Sequence, residues 1–267
     1  MLDTNSQLSY QRIGTGQPVY FLHGLALDSH SMSAVYERIL KSNSYEKYYI
    51  DLPGMGSSRS VEGIHSSVDV VNRLADFIKS TSRGRSVVLV GHSYGGYLCY
   101  ELACQLRCVK GVFATCPVII ADERKRRVAS HKNIITGEMN VEKSTSFTDY
   151  VSTNVLINPE TWRQYQHSIL PGLRSFNRPF WDEIQQTGRY ALPDEAEIPH
   201  RLNDRNVQIH TLLGHMDNVV GYEDQVKMLR YVAGSCVDVV EHAGHNLPID
   251  AFGAVESAWH HFKLMAG

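Results

Sequence analysis

The sequence is short of paired cysteines, of long apolar runs and of any surplus of one charge. Its five cysteines, Cys99, Cys104, Cys108, Cys116 and Cys236, form an odd set without Cys-x-x-Cys spacing. Cys104 and Cys108 are spaced to share a helix face. Two thiols without nearby His or Cys partners make a poor zinc site, so they read as small packing residues and no metal is predicted. No segment approaches the apolar length that spans a bilayer, and the opening MLDTNSQLSYQR lacks the charged start and apolar stretch of a secretory signal. The resulting expectations are a cytoplasmic location and no membrane partner. With 26 Lys+Arg against 28 Asp+Glu the formal net charge is −2, which supplies no global field for nucleic acid or an anionic surface. The one basic run, ERKRR at 123–127, is short and reads as a solvated helix face. Glycines 14 and 16, and 54 and 56, lack the Gly-Lys-Ser/Thr ending or the spacing of a nucleotide fingerprint, so no nucleotide cofactor is expected.

What is present is enough apolar material for a substantial core: 267 residues, 43% of them hydrophobic. Short β-rich runs alternate with helical patterns, which predicts an α/β fold with a mostly parallel central sheet flanked by helices. QLSYQRIG, VYFLHG, KYYIDLPG, SVVLVG, VKGVFATCPV, NVQIHTLLG and CVDVVEHAG read as strands. Between them, Met32, Val35, Tyr36, Ile39 and Leu40 fall on one helical face, as do Val68, Val71, Leu74, Ala75 and Ile78. Leu98, Leu102 and Leu106 keep a spacing of four; Val226, Leu229 and Val232 mark a later helix, and Phe252, Val255, Trp259 and Phe262 a final one. The alternation lapses from about Ile119 to His200, a stretch rich in aromatics and without a strong β run. Helices with breaks near Pro159, Pro171, Pro179 and Pro193 are expected there. Residues 1–118 and 201–267 thus form the α/β core, and 119–200 a mainly helical cap inserted over one end of it, most of its aromatics forming a small core of their own.

VVLVGHSYGGYL, residues 87–98, fits a strand, a sharp turn and a helix, with Gly91-His92-Ser93-Tyr94-Gly95 at the corner. Small flanking residues let strand and helix pass closely, and the serine is held outside the sheet at a helix N-terminus, where unpaired N–H groups favour developing negative charge. A serine hydroxyl is a weak nucleophile alone and needs a histidine base and an orienting carboxylate. Asp217 follows one late strand-like run and His245 the next, so a parallel sheet would gather both at the same edge as Ser93. The order Ser, Asp, His is that of α/β-hydrolases.

At these residues the sequence resembles the α/β-hydrolase superfamily. The resemblance extends to FLHGLALDSHSM, where the family has a His-Gly loop, and to DLPGMGSS, which is similar to its Asp-x-Pro-Gly-x-Gly-x-Ser signature. It implies Ser93 as nucleophile, His245 as general base and then acid, and Asp217 as the group fixing the imidazole. It also implies an oxyanion hole from the backbone N–H groups of Leu25 and Tyr94. The implied activity is hydrolysis of a small-molecule carboxylic ester or related acyl bond through an acyl-enzyme, with no cofactor, by a monomer or homodimer. Lactonase, thioesterase and carbon–carbon bond hydrolase are alternatives, and a ligand-binding receptor on the same fold is an alternative of another class.

Other residues compete for these roles. His92 precedes the nucleophile and should point away from it, as packing. His23 is expected to be structural, hydrogen-bonded beneath the oxyanion loop, while His215 and His242 fit the strand-to-loop register less well than His245. Asp122 is the fallback for Asp217, and Asp51 is a turn-stabilising residue. The side chain of Tyr94 stands equally between pocket lining and packing.

Overall fold

The computed structural model describes residues 1–41, 44–142 and 144–266. Its strands are β1 (Leu2–Asp3), β2 (Leu8–Ile13), β3 (Gln17–Leu22), β4 (Tyr45–Ile50), β5 (Val87–His92), β6 (Val109–Thr115), β7 (Ile134–Ile135), β8 (Leu156–Ile157), β9 (Gln208–Gly214) and β10 (Ser235–Val240). One 8-stranded sheet runs in the order β1-β2-β4-β3-β5-β6-β9-β10. β1 and β2 join it antiparallel, and every pairing from β4 through to β10 is parallel.

Helices cover both faces, as the pleat requires. On β3 the adjacent residues Tyr20 and Phe21 point to opposite sides. Tyr20 meets Phe77 of α2 (Ser67–Ser82) at a ring distance of 6.3 Å, while Phe21 meets Tyr36 of α1 (Ser29–Ile39) at 5.0 Å. The predicted stripe of α1, Met32 to Leu40, is buried throughout. Each of these helices starts on a side-chain cap: the Asp28 carboxylate accepts from His30 N, and Ser66 Oγ from Asp69 N. α3 (Tyr94–Gln105) follows β5 directly and ends before Cys108. Cys104 and Cys108 therefore do not share a helix, because the chain has already turned toward β6.

Between β6 and β9 lie α4 (Thr145–Thr153), α5 (Pro159–Ser168), α6 (Leu170–Ser175), α7 (Arg178–Gln186) and α8 (Ile198–Asn203). Pro159, Pro171 and Pro179 sit in the first turns of α5, α6 and α7 and start these helices rather than ending them. A proline there forfeits no helical hydrogen bond. The stretch also holds the two-residue parallel pair β7–β8, and ERKRR forms a single 3-10 turn rather than a helix face. The stretch does not pack as one body. Tyr150, Trp162, Tyr165, Ile157, Ile169 and Leu170 form a separate apolar cluster, which meets Leu27 and Ile249. Trp181, Ile184, Tyr190, Leu192, Ile198 and Leu202 instead merge into the main core.

The chain closes with α9 (Glu223–Leu229), α10 (Leu247–Asp250) and α11 (Phe252–Ala266). Among the described residues no helix is long and apolar enough to cross a membrane.

Candidate active site

Ser93 stands between β5 and α3 with φ 52° and ψ −116°, a left-handed conformation that a side chain rarely adopts. Its flanking glycines explain how the chain reaches it. A Cβ on Gly95 would run into the Leu22 carbonyl oxygen of β3, and one on Gly91 into the backbone of Gly95 and Gly96. The strained turn is pinned by backbone hydrogen bonds: Ser93 N donates to Thr115 O at 3.0 Å, and Val118 N and Tyr97 N donate to Ser93 O at 3.1 and 3.2 Å.

Asp217 lies just beyond β9 and is fully buried. Its Oδ1 accepts from Val219 N and Val220 N at 2.8 and 2.9 Å, and its Oδ2 stands 2.9 Å from His245 Nδ1. Burial alone would raise the carboxyl pKa. The His245 ring beside it and these hydrogen bonds outweigh burial and hold it below the usual carboxylate range. The other ring nitrogen of His245, Nε2, is 3.0 Å from Ser93 Oγ. An ionised Asp217 accepts from Nδ1–H, which leaves the Nε2 lone pair facing the serine hydroxyl.

The loop that carries His245 is tied to the stretch between β6 and β9. Asp250 accepts from Gly244 N at 2.9 Å and, across the loop, from Val155 N and Leu156 N at 3.0 and 3.1 Å. Asn246 Nδ2 donates to Thr153 Oγ1 and Asn154 Oδ1 at 3.0 and 2.8 Å. Sequence reasoning missed Asp250 and Asn246. Only their closeness to His245 in the chain could have drawn attention to them, since their partners lie 92 to 96 residues away.

The remaining predicted residues are placed as follows. Leu25 N follows the His23-Gly24 loop, and a Cβ on Gly24 would stand 3.2 Å from Ser93 Cβ, so the loop passes directly against the serine. Tyr94 N opens α3. Among the described residues neither N–H donates to a protein acceptor. The Tyr94 side chain is packing: its hydroxyl is 2.8 Å from Ser67 Oγ, and its ring stacks on Tyr190 at 4.9 Å. His23 is buried beneath the loop, with Nε2 accepting from Leu52 N at 3.0 Å and Nδ1–H donating to Gly24 O at 2.8 Å. Asp51 holds its turn through Ser29 N and Ser57 N at 2.7 and 3.0 Å. Asp122 pairs with Arg124 at 2.9 Å, and His215 Nδ1 lies 3.5 Å from Glu241. His242 is exposed.

His92 requires a correction. Its ring does not turn away from the site; it is buried, 5.2 Å from the His245 ring, with Nδ1 3.0 Å from Thr115 Oγ1. His92 is paired in register with Thr115 of the neighbouring strand β6, whose hydroxyl anchors the ring there. Burial, and then the neighbouring His245, push the His92 pKa down to about 3, so it stays neutral. Cys116 is a further close neighbour: its sulfur, an Asp217 oxygen and a His245 nitrogen lie within 4.8 Å of one another. Burial pushes this thiol well up, and the carboxylate and imidazole already bond each other, so the trio is not set up for a metal.

A parallel α/β sheet with a Ser–His–Asp hydrogen-bond relay at the C-terminal edge of its strands defines a fold of the hydrolase class. The sequence profile of the alpha/beta hydrolase family matches residues 19–258, and the chain belongs to that family. Its structure is similar to that of an alpha/beta superfamily hydrolase from Oenococcus oeni PSU-1, with a TM-score of 0.93 and 36% identity, covering 100% of this chain and 98% of that one. A thermophilic esterase from Thermogutta terrifontis shares the fold at a TM-score of 0.68 and 21% identity, covering 97% and 93% of the two chains. Among curated proteins, the chain is 26% identical over 242 residues to a 2-succinyl-6-hydroxy-2,4-cyclohexadiene-1-carboxylate synthase of Escherichia coli (strain K12), spanning 85% of each.

Proposed function

We propose that the protein is a serine hydrolase that cleaves a small-molecule carboxylic ester or a related acyl bond through an acyl-enzyme. The observation that carries this reading is the relay itself, with Oγ–Nε2 at 3.0 Å and Nδ1–Oδ2 at 2.9 Å around a serine held at positive φ. Ser93 Oγ attacks the carbonyl carbon while His245 Nε2 takes its proton. Asp217 fixes the ring and stabilises the imidazolium without itself taking the proton. The carbonyl oxygen, now anionic, is held by the N–H groups of Leu25 and Tyr94. His245 then gives its proton to the leaving alcohol oxygen, the carbon–oxygen bond breaks and the acyl group stays on Ser93. Water repeats the sequence, with His245 as base, and releases the acid. In this reading His92 remains uncharged beside the imidazolium, which avoids a second positive ring in the site.

The stretch 119–200 serves as a cap, with the His245 loop tied to it through Asp250 and Asn246. Lactone and thioester carbonyls would pass through the same steps, with the ring oxygen or the thiol sulfur as the leaving atom.

The test is intact mass after incubation with a fluorophosphonate, run beside Ser93→Ala. A single adduct on the wild type and none on the variant supports the activated serine. An adduct that persists on Ser93→Ala removes Ser93 from the role.

A further inference from the structure

A second cluster of chemically capable side chains lies toward the opposite end of β9 from Asp217. His210 on β9 is paired across the sheet with Cys236 on the edge strand β10, so both side chains point to the same face. α11 crosses that face, and its His261 ring stands 5.6 Å from the His210 ring at an interplanar angle of 90°. One donor atom from each of His210, Cys236 and His261 lies within 4.8 Å of the other two. Asp238, two residues beyond Cys236 and therefore on the same face, places Oδ2 2.8 Å from His210 Nε2.

That last bond decides the tautomer. With the Nε2 hydrogen donated to Asp238, His210 Nδ1 carries a lone pair, and this nitrogen is buried without a hydrogen-bond partner. The His210 side chain is 0% exposed. A carboxylate behind a histidine whose other nitrogen is bare is the arrangement that orients metal-ligating imidazoles and raises their basicity.

We propose that His210, Cys236 and His261 bind a zinc-class divalent ion, with water in the fourth position. Two imidazoles and a thiolate suit a borderline-soft cation, and three protein ligands leave one tetrahedral position open. Bond lengths of ~2.0 Å to nitrogen and ~2.3 Å to sulfur put donors roughly 3.5 Å apart, so binding draws in the exposed His261 side chain. The Cys236 proton leaves to solvent as the sulfur binds. The ion would clip the edge strand β10 and the C-terminal helix α11 to β9, at a place that takes no part in the acyl chemistry.

The test uses the full chain, freed of metal by chelator and titrated with Co²⁺. The expected result is one equivalent bound with a near-ultraviolet thiolate-to-cobalt charge-transfer band, bleached by added Zn²⁺. Cys236→Ser should abolish the band, His261→Ala should weaken binding, and Asp238→Asn should weaken it about 10–100-fold. Zn²⁺ at a hundredfold over its Kd should raise Tm by roughly 5 °C in the wild type and leave Cys236→Ser unmoved. Circular dichroism checks that each variant folds; Asp238 is 54% exposed, so its variant keeps the test alive if Cys236→Ser does not fold. No band, or the same band in Cys236→Ser, would overturn the proposal, the latter by assigning the thiolate elsewhere.

Discussion

Ser93 and His245 meet at 3.0 Å, yet they are held by different parts of the molecule. Ser93 is fixed by the sheet: its backbone bonds reach Thr115 at the end of β6 and Tyr97 and Val118 close by. Asp217 is likewise fixed by the turn that leaves β9. His245 is in a loop whose ties run to Thr153, Asn154, Val155 and Leu156, beside the separate apolar cluster of α4 to α6. The second half of the same stretch behaves in the opposite way, since Trp181 and Tyr190 pack on Tyr94 next to the serine. A continuous segment of sequence is thus two physical units, one tied to the His245 loop and one packed into the core beside Ser93.

This comparison can be broken at several strengths. Ser93→Ala should lower kcat by about 10⁴-fold or more with no loss of stability, as read by steady-state ester turnover and a denaturant midpoint. Asp217→Asn should cost about 10³–10⁴-fold, since an amide can present an N–H to the ring and favour the wrong tautomer. A near-normal rate in Asp217→Asn would break the relay.

Trp181→Ala should destabilise the whole chain by about 3–5 kcal/mol, because it empties a fully buried site that also holds Pro53 O through the indole N–H at 3.0 Å. Trp162→Ala should act more locally. Hydrogen exchange should rise over 145–173 ahead of the sheet, and equal exchange across both regions would show that the two halves unfold as one.

Asp250→Asn should lower kcat roughly 10-fold and also lower the denaturant midpoint, since an amide NH2 would face buried N–H groups that now donate to a carboxylate oxygen. The carboxylate it removes accepts from both the His245 loop and the α4–β8 turn, and a positioning group of this kind acts on rate through geometry. An unchanged Asp250→Asn rate would mean that the sheet alone places His245.

The smallest effect is on stability against pH. Burial holds His23 and His92 below the ordinary histidine value, His92 at about 3. The unfolded chain therefore binds more protons than the native one between ~6.5 and that lower range. Stability is full above ~6.5 and declines as pH falls through the window, so the urea midpoint should be lower at pH 5 than at pH 7.5. Equal midpoints would show that neither ring is excluded from protonation.

Local patterns made most of the core legible. The alternation of strands and helices, the Gly91–Gly95 corner and the positions of Asp217 and His245 after their strands all rest on neighbours within a few residues. The stretch between β6 and β9 was less legible. Its prolines carry the same letter whether they end a helix or begin one, and only the helices actually formed show that Pro159, Pro171 and Pro179 begin them.

By itself, then, the sequence determined the α/β plan, the cramped serine corner and the order of the three relay residues, because periodicity and turn chemistry act over short range. The tertiary structure decided the rest. It brought His92 against His245, tied Asp250 to residues 94 and 95 positions away, split 119–200 between two cores and set Cys236 beside His210. These contacts follow from strand order and helix docking, which join side chains remote in the chain, and no local pattern of residues encodes which remote side chains will meet.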